Sequence, residues 1–279
     1  MRHPPKLLRA TLTASLVLVA TAEAGVAGPL EDGDAAFRKR DYATALQLLR
    51  PLAEQGFAKA QYDLGAMYSS GLGVARDYAE AVKWYRLAAA VGFAKAQYGL
   101  GTMYARGEGV PQDYAEALTW YRLAAGQGDI NAQDNLGHMY AHGEGVRQDC
   151  AEGLKWYRLA ADQGDVVSQA NLGTIYFRGE CAPRDYAEAL KWYRLSADQG
   201  FVGAQYTLGE LYAKGEGVPR DYVVAHMWYS LAAAQAERDG GDLSKSAAAA
   251  RDKVASKMTP AQIAEAQKLA REWKPKPER

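Results

Sequence analysis

The chain has 279 residues, 48% of them hydrophobic, with 33 basic and 33 acidic side chains. That content supports a large buried core. A formal net charge of zero supplies no general field toward nucleic acid or an anionic membrane, so neither is expected as a partner.

The first 24 residues read as a segment apart from the fold. Arg2, Lys6 and Arg9 make a basic start, Leu12 to Ala22 an apolar run, and Ala22-Glu23-Ala24 puts small residues at the two positions signal peptidase reads. This is the pattern of a secretory signal peptide, too short for a comfortable membrane span. Cleavage is expected after Ala24, with Ala27 as the competing position and an uncleaved N-terminal anchor as the alternative. Loss of residues 1–24 removes three bases and Glu23 and leaves the remainder at net −2. No cysteine follows the cleavage position and no later segment is apolar enough to span a bilayer. The expectation is a periplasmic or secreted protein with no stable membrane insertion after cleavage.

Residues 30–56 read as N-terminal capping helices. Leu30 to Arg40 is a short opening helix, and Asp41-Tyr42-Ala43-Thr44-Ala45-Leu46 begins half of a repeat that ends at Gln55-Gly56. Pro51 stands inside that second helix where other copies have Leu, which predicts a kink or an early bend.

Five copies of a 36-residue unit follow, at 57–92, 93–128, 129–164, 165–200 and 201–236. Each carries a version of a Leu-Gly-x-x-Tyr segment, a Gly-x-Gly-Val turn, an Asp-Tyr-Ala-Glu start and a Trp-Tyr-Arg-Leu-Ala run. The Trp-Tyr pairs recur without a slip from Trp84-Tyr85 to Trp228-Tyr229. A fixed period of this length means a solenoid, in which each repeat buries its apolar face against its neighbours. In the second copy, Ala96, Leu100, Met103 and Tyr104 fall at helical spacing over Ala94 to Arg106. Gly101 lets a neighbouring helix approach, Gly107 suits a left-handed C-terminal residue, and Pro111 bars continuation. Asp113 is an N-cap with Glu116 as its capping-box partner. The second helix is expected from about Tyr114 to Ala125, burying Tyr114, Ala117, Leu118, Tyr121, Leu123 and Ala124, with Trp120 widening that side. Two antiparallel helices per repeat predict an all-α fold, a right-handed α/α solenoid of helix-turn-helix repeats.

The period ends after Gln235. Asp239-Gly240-Gly241 is a break, Leu243 to Lys257 an Ala-rich helix, and Thr259-Pro260-Ala261-Gln262 a capped helix start with Ile263, Ala266, Ala270 and Trp273 on one face. Residues 237–273 thus form a C-terminal helical cap, and 274–279 a polar, Pro-interrupted mobile tail.

The period, the Leu-Gly-x-x-Tyr, the Gly-x-Gly-Val-x-x-Asp and the Trp-Tyr-x-x-Ala-Ala together resemble Sel-one-like repeats (SLR), a branch of the tetratricopeptide superfamily. The likeness covers residues 57–236, with a half copy at 41–56. It implies an α/α solenoid and a role in assembling or regulating protein complexes. Exported bacterial members include cysteine-rich secreted proteins and periplasmic regulators of exopolysaccharide production and signalling. The cysteine-rich members place a helix-linking pair in every repeat. This chain does not, so their penicillin-binding and lactamase-like behaviour is not implied for it.

Several features bear on chemistry. The Gly-x-Gly turns follow helices and lack the strand and Lys of a nucleotide loop. The Trp and Tyr residues are the same in every copy, which favours packing over a saccharide groove. His138 and His142 share a helix face and could hold a metal between them, but no other copy has the pair, and solvent exposure is the plainer reading. No nucleophile has an arranged base, so no catalytic residue, cofactor or metal is assigned and no enzyme activity is expected. Cys150 replaces the Tyr of the Asp-Tyr cap in the third repeat, and Cys181 the second turn glycine in the fourth. Both lie on the turn edge of adjacent repeats, close enough to meet as an inter-repeat disulfide; two free thiols are the alternative.

One stripe of the first helix varies between copies while its neighbours stay fixed. It reads Lys95, Gly99, Thr102, Arg106 in the second repeat, Asn131, Asn135, His138, His142 in the third, and Val167, Asn171, Thr174, Arg178 in the fourth. In tetratricopeptide-like solenoids the first helix lines the concave groove. By that analogy the partner-binding groove comprises Thr102, Arg106, Asn131, Asn135, His138, His142, Asn171, Thr174 and Arg178; plain solvation of these positions is the alternative. The bases Arg106, His142, Arg178 and Lys214 run beside Glu108, Glu144, Glu180 and Glu216 and are expected to neutralise them. Repeats three and four also replace Tyr62, Tyr98 and Tyr206 by Asp134 and Ala170. The expectation is an exported repeat scaffold that binds another protein or peptide segment in the cell envelope. The alternatives are a module for envelope glycan or exopolysaccharide and a weak cell-wall or lactam hydrolase.

Overall fold

The computed structural model describes residues 28–234 and 241–276. The signal-peptide segment 1–24, Asp239 and Gly240 of the expected break, and the end of the tail at 277–279 lie outside the described residues. Among the described residues there are fourteen helices and no strand. They are α1 (residues 28–38), α2 (Tyr42–Glu54), α3 (Ala58–Ser70), α4 (Tyr78–Ala90), α5 (Ala94–Arg106), α6 (Tyr114–Gly126) and α7 (Ile130–His142). There follow α8 (Cys150–Asp162), α9 (Val166–Arg178), α10 (Tyr186–Asp198), α11 (Val202–Lys214), α12 (Tyr222–Ala234), α13 (Asp242–Ala255) and α14 (Pro260–Glu272). The chain divides into two compact units, residues 1–124 and 125–279. In the first, α2 to α5 pack each on the next; in the second, α7 to α12 do the same, and α13 and α14 both pack on α12. Each unit is therefore an α/α repeat stack.

Local chemistry sets the helix ends. Asp77, Asp149 and Asp185 accept backbone N–H bonds from the first turns of α4, α8 and α10. Asp113 does so for α6, from Ala115 and Glu116 at 2.9 and 3.0 Å. The expected reciprocal Glu contact is replaced in three copies: Glu80, Glu152 and Glu188 pair with Lys83, Lys155 and Lys191 three residues on. A lysine one turn away offers a charged donor that the cap backbone does not. The reciprocal box does form at Thr259 and Gln262, with Pro260 in the first turn. At the other end Gly71, Gly107, Gly143, Gly179 and Gly215 take left-handed C-cap geometry, φ 69 to 76°. One end expectation needs correction: the opening helix ends at residue 38, and Arg40 turns the chain with φ 62°. Helix α2 carries Pro51 inside it and runs on to Glu54. Pro51 and Gln47, whose carbonyl loses its donor, are both exposed, so water can take that bond.

Three side-chain devices hold the stack. The tyrosine of each Trp-Tyr pair is buried, and its ring lies where a β-carbon on the Leu-Gly glycine would be. A methyl at Gly65, Gly101, Gly137, Gly173 or Gly209 would come within 2.6 to 2.8 Å of Tyr85, Tyr121, Tyr157, Tyr193 or Tyr229. The arginine at the next position reaches the following repeat: Arg86 donates to the Tyr104 hydroxyl at 2.7 Å, and Arg50, which follows Leu48-Leu49 in the half copy, donates to Tyr68 at 2.8 Å. Arg158 donates to Tyr176 and Arg194 to Tyr212 in the same way. The third device was not anticipated. Gln61, Gln97, Gln133, Gln169 and Gln205 are buried, and each donates its amide to the carbonyl eight residues back, on Ala53, Ala89, Ala125, Ala161 or Ala197, at 3.1 to 3.3 Å. These acceptors are end carbonyls of the preceding second helix; each also takes the N–H of the glycine three residues on, so the glutamine supplies a second donor. Gln163 and Gln199 in turn donate to Gln133 and Gln169 at 2.7 and 3.0 Å. Gln169→Leu removes one of two donors from the Ala161 carbonyl, which keeps the Gly164 N–H, and one of two acceptors from the Gln199 amide, which keeps the Gly164 carbonyl. It is expected to destabilise the second unit by about 0.5–1.5 kcal/mol in urea unfolding; an unchanged midpoint would show the bond to be idle.

The second-helix core also differs from the expected set. Ala117, Leu118, Tyr121, Ala124 and Ala125 are buried, but Tyr114 and Leu123 are exposed. Tyr114 lies two turns before Tyr121 on the same face but in the first turn, at the helix end, while Leu123, two residues past Tyr121, points away from the face carrying Tyr121 and Ala124. Towards the C-terminus, α13 buries Ala247 and Val254, α14 buries Ala266, and Trp273 packs against the core of the second unit. The first part of the tail is anchored: Lys276 donates its backbone N–H to the Asp198 carbonyl at 2.8 Å and pairs with the Asp198 carboxylate.

Candidate functional site on the first-helix face

The varying stripe lies on the side of α5, α7 and α9 opposite the buried Leu100, Leu136 and Leu172. In the first unit Thr102 is half-buried and Arg106 exposed. They line a recess of about 240 Å³ with Ser70, Tyr85, Tyr98 and Gly99. In the second unit Asn131, His138, His142 and Arg178 are exposed, while Asn135, Asn171 and Thr174 are half-buried. The two threonines are less free than the stripe suggests. Thr102 donates to the Tyr98 carbonyl and accepts from the Tyr121 hydroxyl at 3.1 and 3.2 Å. Thr174 does the same between Ala170 and Tyr193, both at 3.0 Å. Their hydroxyls complete the core.

The expected neutralising columns form only at Arg178 and Glu180, 3.5 Å apart. Lys214 instead pairs with Glu210 on its own helix at 3.1 Å, and Glu144 faces His138 Nδ1 at 3.4 Å. A partner one turn along the same helix is nearer than one across the glycine turn. The His138 and His142 rings stack at 4.2 Å between centroids, and His142 donates from Nδ1 to the His138 carbonyl at 2.9 Å. Among the described residues no group of three or more His, Cys, Asp or Glu side chains could hold a metal, and no helix is long and apolar enough to cross a membrane.

Two carboxylates are drawn into this face. In the first unit Asp63 is buried and meets Lys59 Nζ at 2.6 Å; Lys59 also reaches Asp34 at 2.7 Å. Burial pushes the Asp63 carboxyl up to about 6, against the pull of Lys59. The folded state therefore holds this proton more tightly than the unfolded chain. The resulting stability is present below the ordinary carboxylate value of 3.8 and is lost as the pH rises through about 6. Lys59→Met removes the group that holds the value down. It is expected to move the Asp63 side-chain carbonyl titration, followed by carbon NMR, to higher pH; a shift to lower pH would refute this account. In the second unit Asp134 stands in the place of Tyr62. It accepts from Ser168 Oγ at 2.6 Å and Asn171 Nδ2 at 3.4 Å, and burial raises its carboxyl above the usual range. Ser168 is held in turn by Asp165, which caps α9 through the Ser168 N–H at 2.6 Å.

The aromatic rows are packing. All five Trp-Tyr tyrosines are buried, as are Trp192 and Trp228, and Trp84, Trp120 and Trp156 are half-buried. On the turn edge Cys150 and Cys181 are joined as a disulfide, with sulfurs 2.15 Å and Cα atoms 5.0 Å apart. The neighbouring joints explain the pairing. A methyl on the second turn glycine would press on the residue after the cap Asp of the preceding repeat, Gly73 on Tyr42, Gly109 on Tyr78 and Gly217 on Tyr186. Cys181 and Cys150 occupy those two conjugate places.

The Sel1 repeat family model matches residues 20–57, 58–93, 94–129, 130–165, 166–201 and 202–237. Among solved structures, a Sel1 repeat protein from Oxalobacter formigenes is similar at 30% identity and a TM-score of 0.73, over 89% of this chain and 99% of that one. A protective antigen present in uropathogenic Escherichia coli strains and displaying an SLR fold is 32% identical over 90% of this chain and 69% of that one, with a TM-score of 0.37. An immunity protein from Pseudomonas aeruginosa matches 72% of this chain and 81% of its own at 23% identity and a TM-score of 0.51. Among curated proteins none matches the sequence.

Proposed function

The chain belongs to the Sel1 repeat family, whose repeats mediate protein interactions, and on that premise we propose that it is an exported scaffold of the cell envelope. It holds a segment of another protein on the first-helix face of its third and fourth repeats. Members of the family are in general non-enzymatic scaffolds, and this reading keeps that role. The observation that carries it is the contrast within α7 and α9. One side buries the residues common to all copies, and the other presents Asn131, His138, His142 and Arg178 to solvent. Side chains that pack nothing and differ from copy to copy are where a repeat protein encodes partner choice. Export is supported by the signal-peptide pattern at 1–24 and by a disulfide that an oxidising compartment preserves.

The test is cross-linked capture from an envelope fraction, with the parent chain and with His138→Ala plus Asn135→Ala. Recovery of the specific partner is expected to fall about tenfold, the effect of losing ~1.4 kcal/mol of binding. Unchanged recovery overturns the placement of the site. N-terminal sequencing of the cellular protein tests export, with Ala24 or Ala27 as the last residue removed.

A further inference from the structure

The third repeat carries two polar groups, one half-buried and one buried, that the chain itself leaves incomplete. The first is Asp134. Both of its hydrogen bonds, from Ser168 and Asn171, fall on Oδ1. Among the described residues Oδ2 has no partner, and it is reached from outside the protein. No lysine or arginine touches this carboxylate, and Asp165 adds a second negative charge beside it. Among the described residues the base acting on it is His138, which itself faces Glu144. The second group is Tyr157, 2% exposed. In the second and fourth repeats the matching hydroxyls of Tyr121 and Tyr193 end on Thr102 and Thr174. In the third repeat that threonine is His138, and among the described residues the Tyr157 hydroxyl has no hydrogen-bond partner. At the same two places in other repeats the rings of Tyr62 and Tyr85, Tyr98 and Tyr121, and Tyr206 and Tyr229 pack at 5.6 to 5.9 Å between centroids, which sets Asp134 beside Tyr157.

The chain also shows what completes such a face. In the first repeat the Lys59 ammonium lies on Asp63 and Asp34, at 2.6 and 2.7 Å. In the third repeat the Lys59 and Asp63 places are Asn131 and Asn135, and the carboxylate stands one position earlier, at Asp134, with no lysine at the place of Lys59. We propose that Asp134 and Tyr157 form a primary-ammonium site that takes the side chain of a lysine on the partner segment. This rests on the groove reading above and names the chemistry it selects. An ammonium is a compact charge with three donors, and it can use one carboxylate oxygen and one hydroxyl together. A guanidinium fork needs both carboxylate oxygens for its bidentate pairing, and Oδ1 is already doubly occupied. Burial keeps the Asp134 carboxyl above the ordinary range while the site is empty, and an ammonium at Oδ2 would draw it down.

The test titrates the full chain with Nα-acetyl-lysine methylamide, following the side-chain amide resonances of Asn135 and Asn171. A saturable shift with a dissociation constant on the order of 1 mM is expected, as for a single-group ligand. The arginine analogue should bind several-fold more weakly, and the Nε-acetylated lysine, without its charge, should not bind. Asp134→Asn keeps the acceptor for Ser168 and should weaken binding at least about tenfold. Asn131→Lys restores the first-repeat ammonium in cis and should exclude the probe. No saturable shift in the parent chain, or binding unchanged in both variants, overturns the site. The two readings fail separately. Partner recovery lost in the His138 and Asn135 double variant without probe binding sinks the ammonium site alone. Probe binding abolished by Asp134→Asn, with recovery unchanged in that double variant, sinks the partner placement alone.

Discussion

Replacing Gly109 with alanine is expected to destabilise the first unit by about 3–5 kcal/mol, a loss at the extreme of single substitutions. Two costs combine. Gly109 has φ +72°, where a β-carbon is penalised by about 1–2 kcal/mol. That carbon would also overlap the Tyr78 carbonyl and lie 2.9 Å from the Ala79 nitrogen, both main-chain groups at the start of α4. A side chain could swing aside, but the first turn of a helix cannot move without opening the joint between the first two repeats. The corresponding methyl at Gly217 meets the Tyr186 side chain at 2.8 Å, so Gly217→Ala should cost less. Gly126, helical and with nothing within 4 Å, sets the opposite limit: Gly126→Ala should be neutral or gain up to about 1 kcal/mol. Urea unfolding of the three variants checks the order. A loss below about 1 kcal/mol at Gly109 would show that the joint yields more readily than its geometry implies.

Breaking the Cys150–Cys181 bond is expected to cost the second unit about 3–4 kcal/mol. That is the chain-entropy value for a link closing a sequence separation of 31 residues. The oxidised chain should weigh two hydrogens less than the reduced one, and its unfolding midpoint should drop on reduction or in Cys150→Ser plus Cys181→Ser. Restoring the residues of the other joints, with Cys150→Tyr plus Cys181→Gly, should recover part of the loss through the same close approach that Gly217 makes to Tyr186. Two thiols alkylated without prior reduction would rule the bond out.

The helices were legible because their ends are decided locally, by the Asp caps, the left-handed glycines and a period that never slips. The cysteine pairing was legible for a related reason: both residues break the pattern at places that regular repeats already bring together. The glutamine ladder was missed although Gln61, Gln97, Gln133, Gln169 and Gln205 repeat as faithfully as the Trp-Tyr pairs. A polar residue at fixed spacing reads as surface unless the carbonyl it serves is known. Tyr114 and Leu123 were misplaced because apolar character was taken for burial, at the end of a helix for Tyr114 and off the buried face for Leu123. Variation between copies marked the candidate face, but which groups on it are already satisfied is a matter of reach. Thr102 and Thr174 turned out to be committed, and Tyr157 open, through hydroxyl positions no spacing rule contains.

The glutamine ladder bears on how such a chain lengthens. Every rung joins the last turn of one helix to the first turn of the next, eight residues on, and so spans the seam between consecutive copies. A duplicated stretch of 36 residues supplies one new donor and one new acceptor wherever in the period it is cut. Phase is thus all that a duplication must preserve. Insertions of whole copies in phase meet ready-made partners on both sides, and an insertion of any other length between an acceptor and its glutamine opens that rung.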